Sequence, residues 1–347
     1  MKLLRKILFP FVPFYYIVVF LKNKFYDWSF LNSSFYDFPL ICVGNLSVGG
    51  TGKSPMVEYL VSFLKNKYQL ATLSRGYGRD SKGFIIADLK ANSKIIGDEP
   101  LQLFNKFKDI IVAVDSDRQN GLTLLKKIKP SIEVVLLDDA FQHRNVSAGL
   151  NILLTAYDQL YCYDYVLPTG NLREPKSGAK RAHAIVVTKS PKSLSEDSKS
   201  TIVEQLNTLP NQEVFFSSIQ YADEIKSLTS TMSINELTGV RFTLVTGIAN
   251  PAPLVIYLKS IGLDFDHLEF EDHHDFSKSE RELIYSKPLI LTTEKDAARL
   301  GVFENYFEGL PILFLPIEVK FQGKTNFDDL ILKYVEQNRL DNTVSKK

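Results

Sequence analysis

Leu40-Ile41-Cys42-Val43-Gly44-Asn45-Leu46-Ser47-Val48-Gly49-Gly50-Thr51-Gly52-Lys53-Ser54-Pro55 is the stretch that decides the fold. It opens with a short apolar run of strand-like composition. A cluster of small residues then leads into Gly52-Lys53-Ser54, and Met56, Val57, Leu60, Val61 and Leu64 follow as one stripe at helical spacing. Strand, glycine-rich loop and helix in that order are the setting a phosphate-binding loop requires. Small side chains let the amides of Ser47, Val48, Gly49, Gly50, Thr51 and Gly52 close around phosphate oxygens. The helix start adds a partial positive charge. Lys53 is placed to reach the β- and γ-phosphates of a nucleoside triphosphate, and the Ser54 hydroxyl to bind Mg²⁺. Pro55 suits the first helical turn, where its missing N–H costs nothing. The pattern normally begins with glycine where this chain has Ser47, so Gly49 and Gly50 are expected to supply the flexibility.

Outward from this loop, short β-branched runs alternate with amphipathic segments. Ile110 to Val114, Val134 to Leu137, Ile152 to Leu154 and Ile185 to Val187 are apolar on both faces, as in a parallel sheet covered by helices. The alternation predicts an α/β fold with a P-loop NTPase-type parallel core. A polar stretch, Ser190 to Asn211, suggests a boundary. Phe242 to Val245, a helix through Leu254 to Ile261, Leu289 to Leu291 and Ile312 to Leu315 then predict a second, smaller α/β domain. The expected division is 1–30 as an N-terminal apolar helix, 31–214 as the core and 215–347 as the smaller domain. Ile132-Glu133-Val134-Val135-Leu136-Leu137-Asp138-Asp139 runs an apolar strand into an acidic pair. This is the second element of a phosphate-loop enzyme, a carboxylate that holds Mg²⁺ directly or through water. The pattern leaves open which of Asp138 and Asp139 stands closer to the metal.

The 347 residues are about 45% apolar and carry 41 basic against 40 acidic side chains. That near balance gives no reason to expect a nucleic-acid partner, which asks for a basic face. Cys42 and Cys162 sit in apolar surroundings without metal-ligand spacing and read as free thiols of a reducing compartment. The run from Ile7 to Leu21 is apolar and aromatic, but shorter than the roughly 20 residues of a spanning helix. Lys2, Arg5 and Lys6 precede it, Lys22 and Lys24 follow it, and Pro10 and Pro13 are expected to kink it. It reads as a membrane-surface anchor with a basic rim for anionic head groups, with a helix packed on the domain core or a single short span as the alternatives.

The motifs taken in order resemble those of the tetraacyldisaccharide 4'-kinases. After the phosphate loop come Ser74-Arg75-Gly76-Tyr77-Gly78-Arg79, Gly97-Asp98-Glu99-Pro100, Asp117-Arg118 and Asp138-Asp139-Ala140-Phe141-Gln142-His143. Gly170-Asn171-Leu172-Arg173-Glu174-Pro175, Asp272-His273-His274-Asp275-Phe276 and Thr293-Glu294-Lys295-Asp296 complete the set, which spans residues 44 to 296. The resemblance covers Ser47 in place of glycine. It departs at Ser54 and Ala140, where Thr and Gly are common. It implies ATP and Mg²⁺ as cofactors, and transfer of phosphate to the 4'-hydroxyl of a tetraacylated glucosamine disaccharide 1-phosphate, giving lipid IVA. The implied partners are that glycolipid and a membrane surface, at the cytoplasmic face of the bacterial inner membrane.

The resemblance places Asp98 in the site as the acceptor of the hydroxyl proton; from sequence alone Asp98 reads as a helix N-cap. It pairs one histidine with Asp98, His274 before His273. Adjacent histidines on a strand point to opposite faces, which argues against both on one metal. Arg118 and Arg173 are candidates to neutralise phosphate charge, Glu174 and Gln142 to hold Mg²⁺ water or acceptor hydroxyls, and Arg75 and Arg79 to bind the acceptor's 1-phosphate. Thr293-Glu294-Lys295-Asp296 resembles the base-reading loop of GTPases but lacks its Asn, and a helix start at Thr293 explains it equally well. The competing readings are a GTPase-like switch, which has no need of a proton acceptor, and a metal phosphoesterase on Asp272-His273-His274, which leaves the phosphate loop unexplained.

Overall fold

The computed structural model describes residues 8–227, 230–272, 274–301, 312–323 and 326–344, with side chains through 339. Among the described residues the first sheet has nine strands. In chain order these are β1 (Leu40–Asn45), β2 (Leu70–Ser74), β3 (Ile85–Ile86), β4 (Ile111–Val114), β5 (Val134–Asp138), β6 (Leu150–Ala156), β7 (Ala184–Thr188), β8 (Glu213–Tyr221) and, far later, Ile317–Phe321. The strand order is (317–321)-β8-β7-β6-β1-β5-β2-β4-β3, parallel from β8 to β4 and antiparallel at both edges. The run-together apolar strands are explained by burial on both faces. Ile41 and Val43 pack under Met56, Val57, Leu60 and Leu64 of the helix Lys53–Leu64. Leu40 and Cys42 pack on the other face with Leu122, Leu125 and Leu153. Burial pushes the Cys42 thiol up to about 12, so it stays a protonated, inert part of the core. Cys162 is half-buried, and both cysteines are free.

β1 lies between β5 and β6, which connect onward in opposite directions. Such a switch point opens a crevice at the carboxyl ends of the strands, where α/β proteins bind ligands. The loop after β1 and the acidic end of β5 both face it.

A second sheet has the order (231–233)-(224–226)-(312–315)-(290–293)-(242–246)-(265–269) and encloses its own apolar cluster around Phe242, Leu244, Leu258 and Leu291. The expected boundary at 215 is corrected in two places. β8 belongs to the first sheet, and after 316 the chain returns to it, adding the edge strand Ile317–Phe321 and the helix Phe327–Val344. Phe327, Ile331 and Val335 of that helix close one face of the first sheet's core. The second domain is therefore an excursion of about 222–316. Its signal was hidden because Ile312–Leu315 and Ile317–Phe321, separated by Pro316, serve different sheets.

At the N-terminus a helical turn, Phe9–Phe11, leads into a helix, Val12–Asp27. Pro10 and Pro13 start these elements rather than kink them, since a first turn needs no proline N–H. No helix among the described residues is long and apolar enough to cross a membrane. The helix turns polar groups inward. Tyr15 Oη donates to the carbonyl of Arg173 at 2.9 Å, Asn23 Nδ2 donates to Glu174 Oε2 at 2.9 Å, and Arg144 donates to Asp27 Oδ1 at 2.8 Å. Part of its apolar surface faces solvent: Phe14 is 74% exposed with Ile17 and Val18 beside it, and the flanking Phe11 (62%), Trp28 and Phe30 are exposed as well, while Val12 packs on the first sheet's core.

Candidate active site

The loop between β1 and the helix Lys53–Leu64 turns left-handed at Gly49 (φ 107°) and Gly52 (φ 85°), where side-chain-bearing residues are strained. Ser47 is absent from the positive-φ residues, so no glycine is needed there. It bridges Leu172 instead, Val48 donates to the carbonyl of Asn171 at 2.8 Å, and Arg173 donates to that of Leu46 at 2.7 Å. The Asn171-Leu172-Arg173 segment thus buttresses the loop from outside. From the end of β7, Thr188 Oγ1 donates to the Thr51 carbonyl at 2.7 Å and Lys189 Nζ to that of Gly50 at 2.6 Å. These bonds engage loop carbonyls, but the amides of Val48 and Thr51 donate to the carbonyls of Asn171 and, at 3.0 Å, Gly49, so the expectation that these two amides close around phosphate is corrected.

The charges around this cradle form two ranks. Lys53 Nζ stands 3.8 Å from Asp139 Oδ1 and 3.5 Å from Asn45 Oδ1. Arg173 grips Asp139 with both terminal nitrogens, at 3.0 and 2.7 Å, and also contacts Asn45 Oδ1. Burial pushes the Asp139 carboxyl up, but Arg173 and Lys53 outweigh it and hold the group below the usual carboxylate range. Asp139 itself has φ 50°, a strained conformation that aims it at Lys53. Asp138 differs. It is buried, its Oδ1 has no partner among the described residues, and burial, reinforced by Glu99 and Asp139, pushes it up to about 7. Glu99 accepts from Ser54 Oγ at 2.5 Å and from Lys295 Nζ at 2.8 Å. Against the upward push of burial, Lys295, Ser54 and Lys53 hold it down to about 2.

A serine hydroxyl, an ionised Glu99 and an orphaned Asp138 oxygen beside Asp139 are hard oxygen donors with surplus negative charge, and they fit Mg²⁺. Among the described residues no three His, Cys, Asp or Glu side chains converge into a cage.

Asp98 is the first residue of the helix Asp98–Lys106, and Gly97 occupies the cap position. The N-cap reading of Asp98 therefore gives way. Asp98 lines a cleft of about 240 Å³ with Tyr77, Lys94, Glu99, His274 and Arg299, between the two domains. The expected Asp98–His274 pair is corrected: His274 Nε2 lies 3.1 Å from Glu280 Oε2, whereas Asp98 Oδ2 accepts from Arg299 Nε at 2.8 Å. His274 also stacks on Phe270, which fixes its ring toward Glu280. His273 lies outside the described residues.

Two further expectations change. Glu174 is 1% exposed and accepts from Arg181 at 2.7 and 2.9 Å, Gln142 at 2.8 Å and Asn23 at 2.9 Å, so both its oxygens are engaged in a structural knot rather than open to Mg²⁺. Arg118 is fully buried behind the acidic pair, donating to the Asp115 carbonyl at 2.5 Å and to the Asp138 carbonyl at 3.5 Å. It influences the site through charge and backbone rather than by touching a phosphate. Arg79 donates to the Gly83 carbonyl at 2.8 Å, whereas Arg75 is exposed. His143 is pushed down to about 4 by its burial and by Arg118, Arg75 and Lys22, so it is neutral in a cationic surrounding. Thr293 caps the helix Glu294–Arg299, which settles that motif as a helix start. Sequence reasoning gave no role to Glu99, Lys295, Arg299 or Asn45. Only the four-residue spacing of Lys295 and Arg299 on one helix face hinted at two of them.

Phosphate loop, acidic strand end and a cleft that carries Asp98 and Glu99 opposite define the class: a P-loop protein built for nucleotide chemistry. A family model described as tetraacyldisaccharide-1-P 4'-kinase matches residues 4–336. A tetraacyldisaccharide 4'-kinase of Flavobacterium johnsoniae is 47% identical over 344 residues, covering 97% of this chain and 99% of that protein. One from Bacteroides thetaiotaomicron is 42% identical, covering 99% and 97%. The solved structure of LpxK from Aquifex aeolicus in complex with ATP matches with a TM-score of 0.77 at 30% identity, covering 96% of this chain and 99% of that one. This chain belongs to the tetraacyldisaccharide 4'-kinase family.

Proposed function

We propose that this protein transfers the γ-phosphate of ATP to the 4'-hydroxyl of a tetraacylated glucosamine disaccharide 1-phosphate, the reaction its family is named for, in lipid A synthesis. The observation that carries the reading is the contact between the two halves of the site. Glu99, next to Asp98, touches Ser54 of the phosphate loop at 2.5 Å, so the cleft opens onto the place for a γ-phosphate. In this reading the remaining loop amides and Lys53 hold the triphosphate, and Arg173 keeps Asp139 and Asn45 aligned beside Lys53. Ser54, Glu99 and Asp138 would hold Mg²⁺, which would supply charge neutralisation at the phosphates when bound; the expected ligand Asp139 has both oxygens held by Arg173 and stands beside the metal place rather than on it. Asp98 takes the proton from the acceptor hydroxyl. The acceptor oxygen bonds to the γ-phosphorus as the bond to the β,γ-bridging oxygen breaks, and ADP leaves with that electron pair. A sugar hydroxyl is a weak acid, so a carboxylate within reach contributes about 10²–10⁴-fold.

The outward apolar face of the helix Val12–Asp27 supports a seat on a membrane surface, at the cytoplasmic face of the bacterial inner membrane, with its lipid acceptor embedded beside it. A surface-bound helix buries one apolar face without needing to span. The inward polar bonds of Tyr15 and Asn23 to Arg173 and Glu174 tie the helix to the segment that buttresses the phosphate loop. Exposed Arg75 and Lys22 near His143 are suited to the acceptor's 1-phosphate. The test is incubation of purified protein with ATP and the tetraacyl disaccharide 1-phosphate. A lipid one phosphoryl group heavier supports the reading; hydrolysis of ATP with unchanged lipid refutes it.

A further inference from the structure

We infer that Arg299 is the positioning residue of the proton-accepting carboxylate, and that through it the second domain sets the orientation of Asp98. The inference rests on the functional reading above. Arg299 comes from the second domain, and its side chain is 5% exposed. Among the described residues its guanidinium is anchored twice within the second domain: Nη1 donates to the Gly247 carbonyl at 2.8 Å and to Asp296 Oδ1 at 3.0 Å. Asp296 is itself fully buried, accepting from the Gly247 amide at 3.0 Å and from Thr293 Oγ1 at 2.8 Å. The helix start at Thr293 therefore builds a rigid mount for one cation.

From that mount Arg299 reaches across the domain boundary and donates from Nε to Asp98 Oδ2 at 2.8 Å. The contact is to one oxygen only. Asp98 Oδ1 takes no hydrogen bond among the described residues, and the side chain is 28% exposed on the cleft with Tyr77, Lys94 and His274. Tying one oxygen of a carboxylate aims the other, which is what a proton acceptor needs from its support. A salt bridge serving stability alone has no reason to leave its partner half-engaged at the reacting face.

Neighbouring contacts make the same connection. Lys295 donates to Glu99 at 2.8 Å, and Lys106 sits between Glu58 of the first domain, at 2.6 Å, and Glu294 of the second, at 2.8 Å. The helix Glu294–Arg299 is thus laid along the helix Asp98–Lys106 by three cations. If the domains part, Lys295 and Arg299 leave Glu99 and Asp98 together, so the proton acceptor is aimed only when the second domain is docked.

The experiment compares wild type, Arg299→Gln, Arg299→Lys, Asp98→Asn and the Asp98→Asn/Arg299→Gln double variant, with ATP and the tetraacyl disaccharide 1-phosphate. Thermal unfolding of each corrects for folded protein. Arg299→Gln is expected to lower kcat about 10–100-fold while KM for ATP stays within about threefold, as for an interaction realised at the chemical step. Arg299→Lys, which keeps the cation, is expected to recover part of the loss. The double variant is expected to be no slower than Asp98→Asn alone, because both changes disable one unit. Losses that multiply in the double variant overturn the proposal. So does an Arg299→Gln enzyme of near-normal kcat, or one whose loss is accounted for by unfolding. Wild-type protein that leaves the lipid unphosphorylated refutes the functional reading itself and removes the role of Arg299 with it.

Discussion

Replacing Asp138 with Asn should stabilise the nucleotide-free protein above neutral pH and destabilise it in acid. Asp138 is buried, and burial together with Glu99 and Asp139 pushes its carboxyl from 3.8 up to about 7. Below about pH 4 both the folded and the unfolded chain hold this proton, and the group costs nothing. As pH rises the unfolded chain releases it first, while the folded chain retains it to about pH 7, so folded stability falls across that window. At about 1.36 kcal/mol per pK unit, the full cost above the window is at most about 4 kcal/mol. Asn carries no charge and escapes it, but places an amide beside an oxygen position that has no partner among the described residues. An unsatisfied buried amide costs about 1–3 kcal/mol. The balance is a gain of about 1–3 kcal/mol at about pH 8, turning into a loss of similar size near pH 4. Urea midpoints of the two proteins, measured across this range with EDTA present, read the difference directly. Other buried acids, Glu58 among them, are common to both proteins and cancel. A midpoint difference that is constant with pH, or that favours Asn more in acid, would refute the assignment of Asp138 as a buried, reluctant carboxylate.

Other consequences can be checked separately. Lys53→Ala and Asp98→Ala should each lower turnover at least about 100-fold, by loss of charge stabilisation and of proton transfer; near-normal rates of Asp98→Ala on the lipid acceptor would remove its role. Deleting residues 1–24 should shift the protein from sedimenting with anionic vesicles to the supernatant, and replacing Phe11, Phe14 and Trp28 together by Ser should do so without disturbing the inward bonds of Tyr15 and Asn23. Unchanged sedimentation would contradict the membrane face. Gly44→Ala should destabilise by about 1–3 kcal/mol, since its Cβ would lie 2.6 Å from Phe141 Cβ beneath the phosphate loop; an unchanged urea midpoint would show that β1 and Phe141 can move apart.

The first domain was legible in the chain because each of its signals is local. A both-faces-apolar strand, left-handed glycines and a lysine at a helix start are set by neighbours in sequence, and residues 40–64 fold as read. What escaped was set by distance. Glu174 looked like a metal ligand, yet Arg181, Gln142 and Asn23 arrive from elsewhere to engage both its oxygens. Arg118 looked like a phosphate clamp, yet it is buried under the acid pair. Arg299, four residues past a recognised motif residue, gives no sign in sequence that it meets Asp98, 201 residues away. The return of the chain to the first sheet was illegible for the same reason, since edge pairing depends on which strand is left uncovered.

In the proposed reaction phosphate moves from the end of the triphosphate to the sugar. Two parallel reactions test it, one with ATP labelled at the γ-phosphorus and one labelled at the α-phosphorus, each with the tetraacyl disaccharide 1-phosphate and purified protein. Label in the lipid from γ-labelled ATP alone, abolished in Lys53→Ala, is the expected result. Lipid that stays unlabelled while inorganic phosphate accumulates would contradict the account.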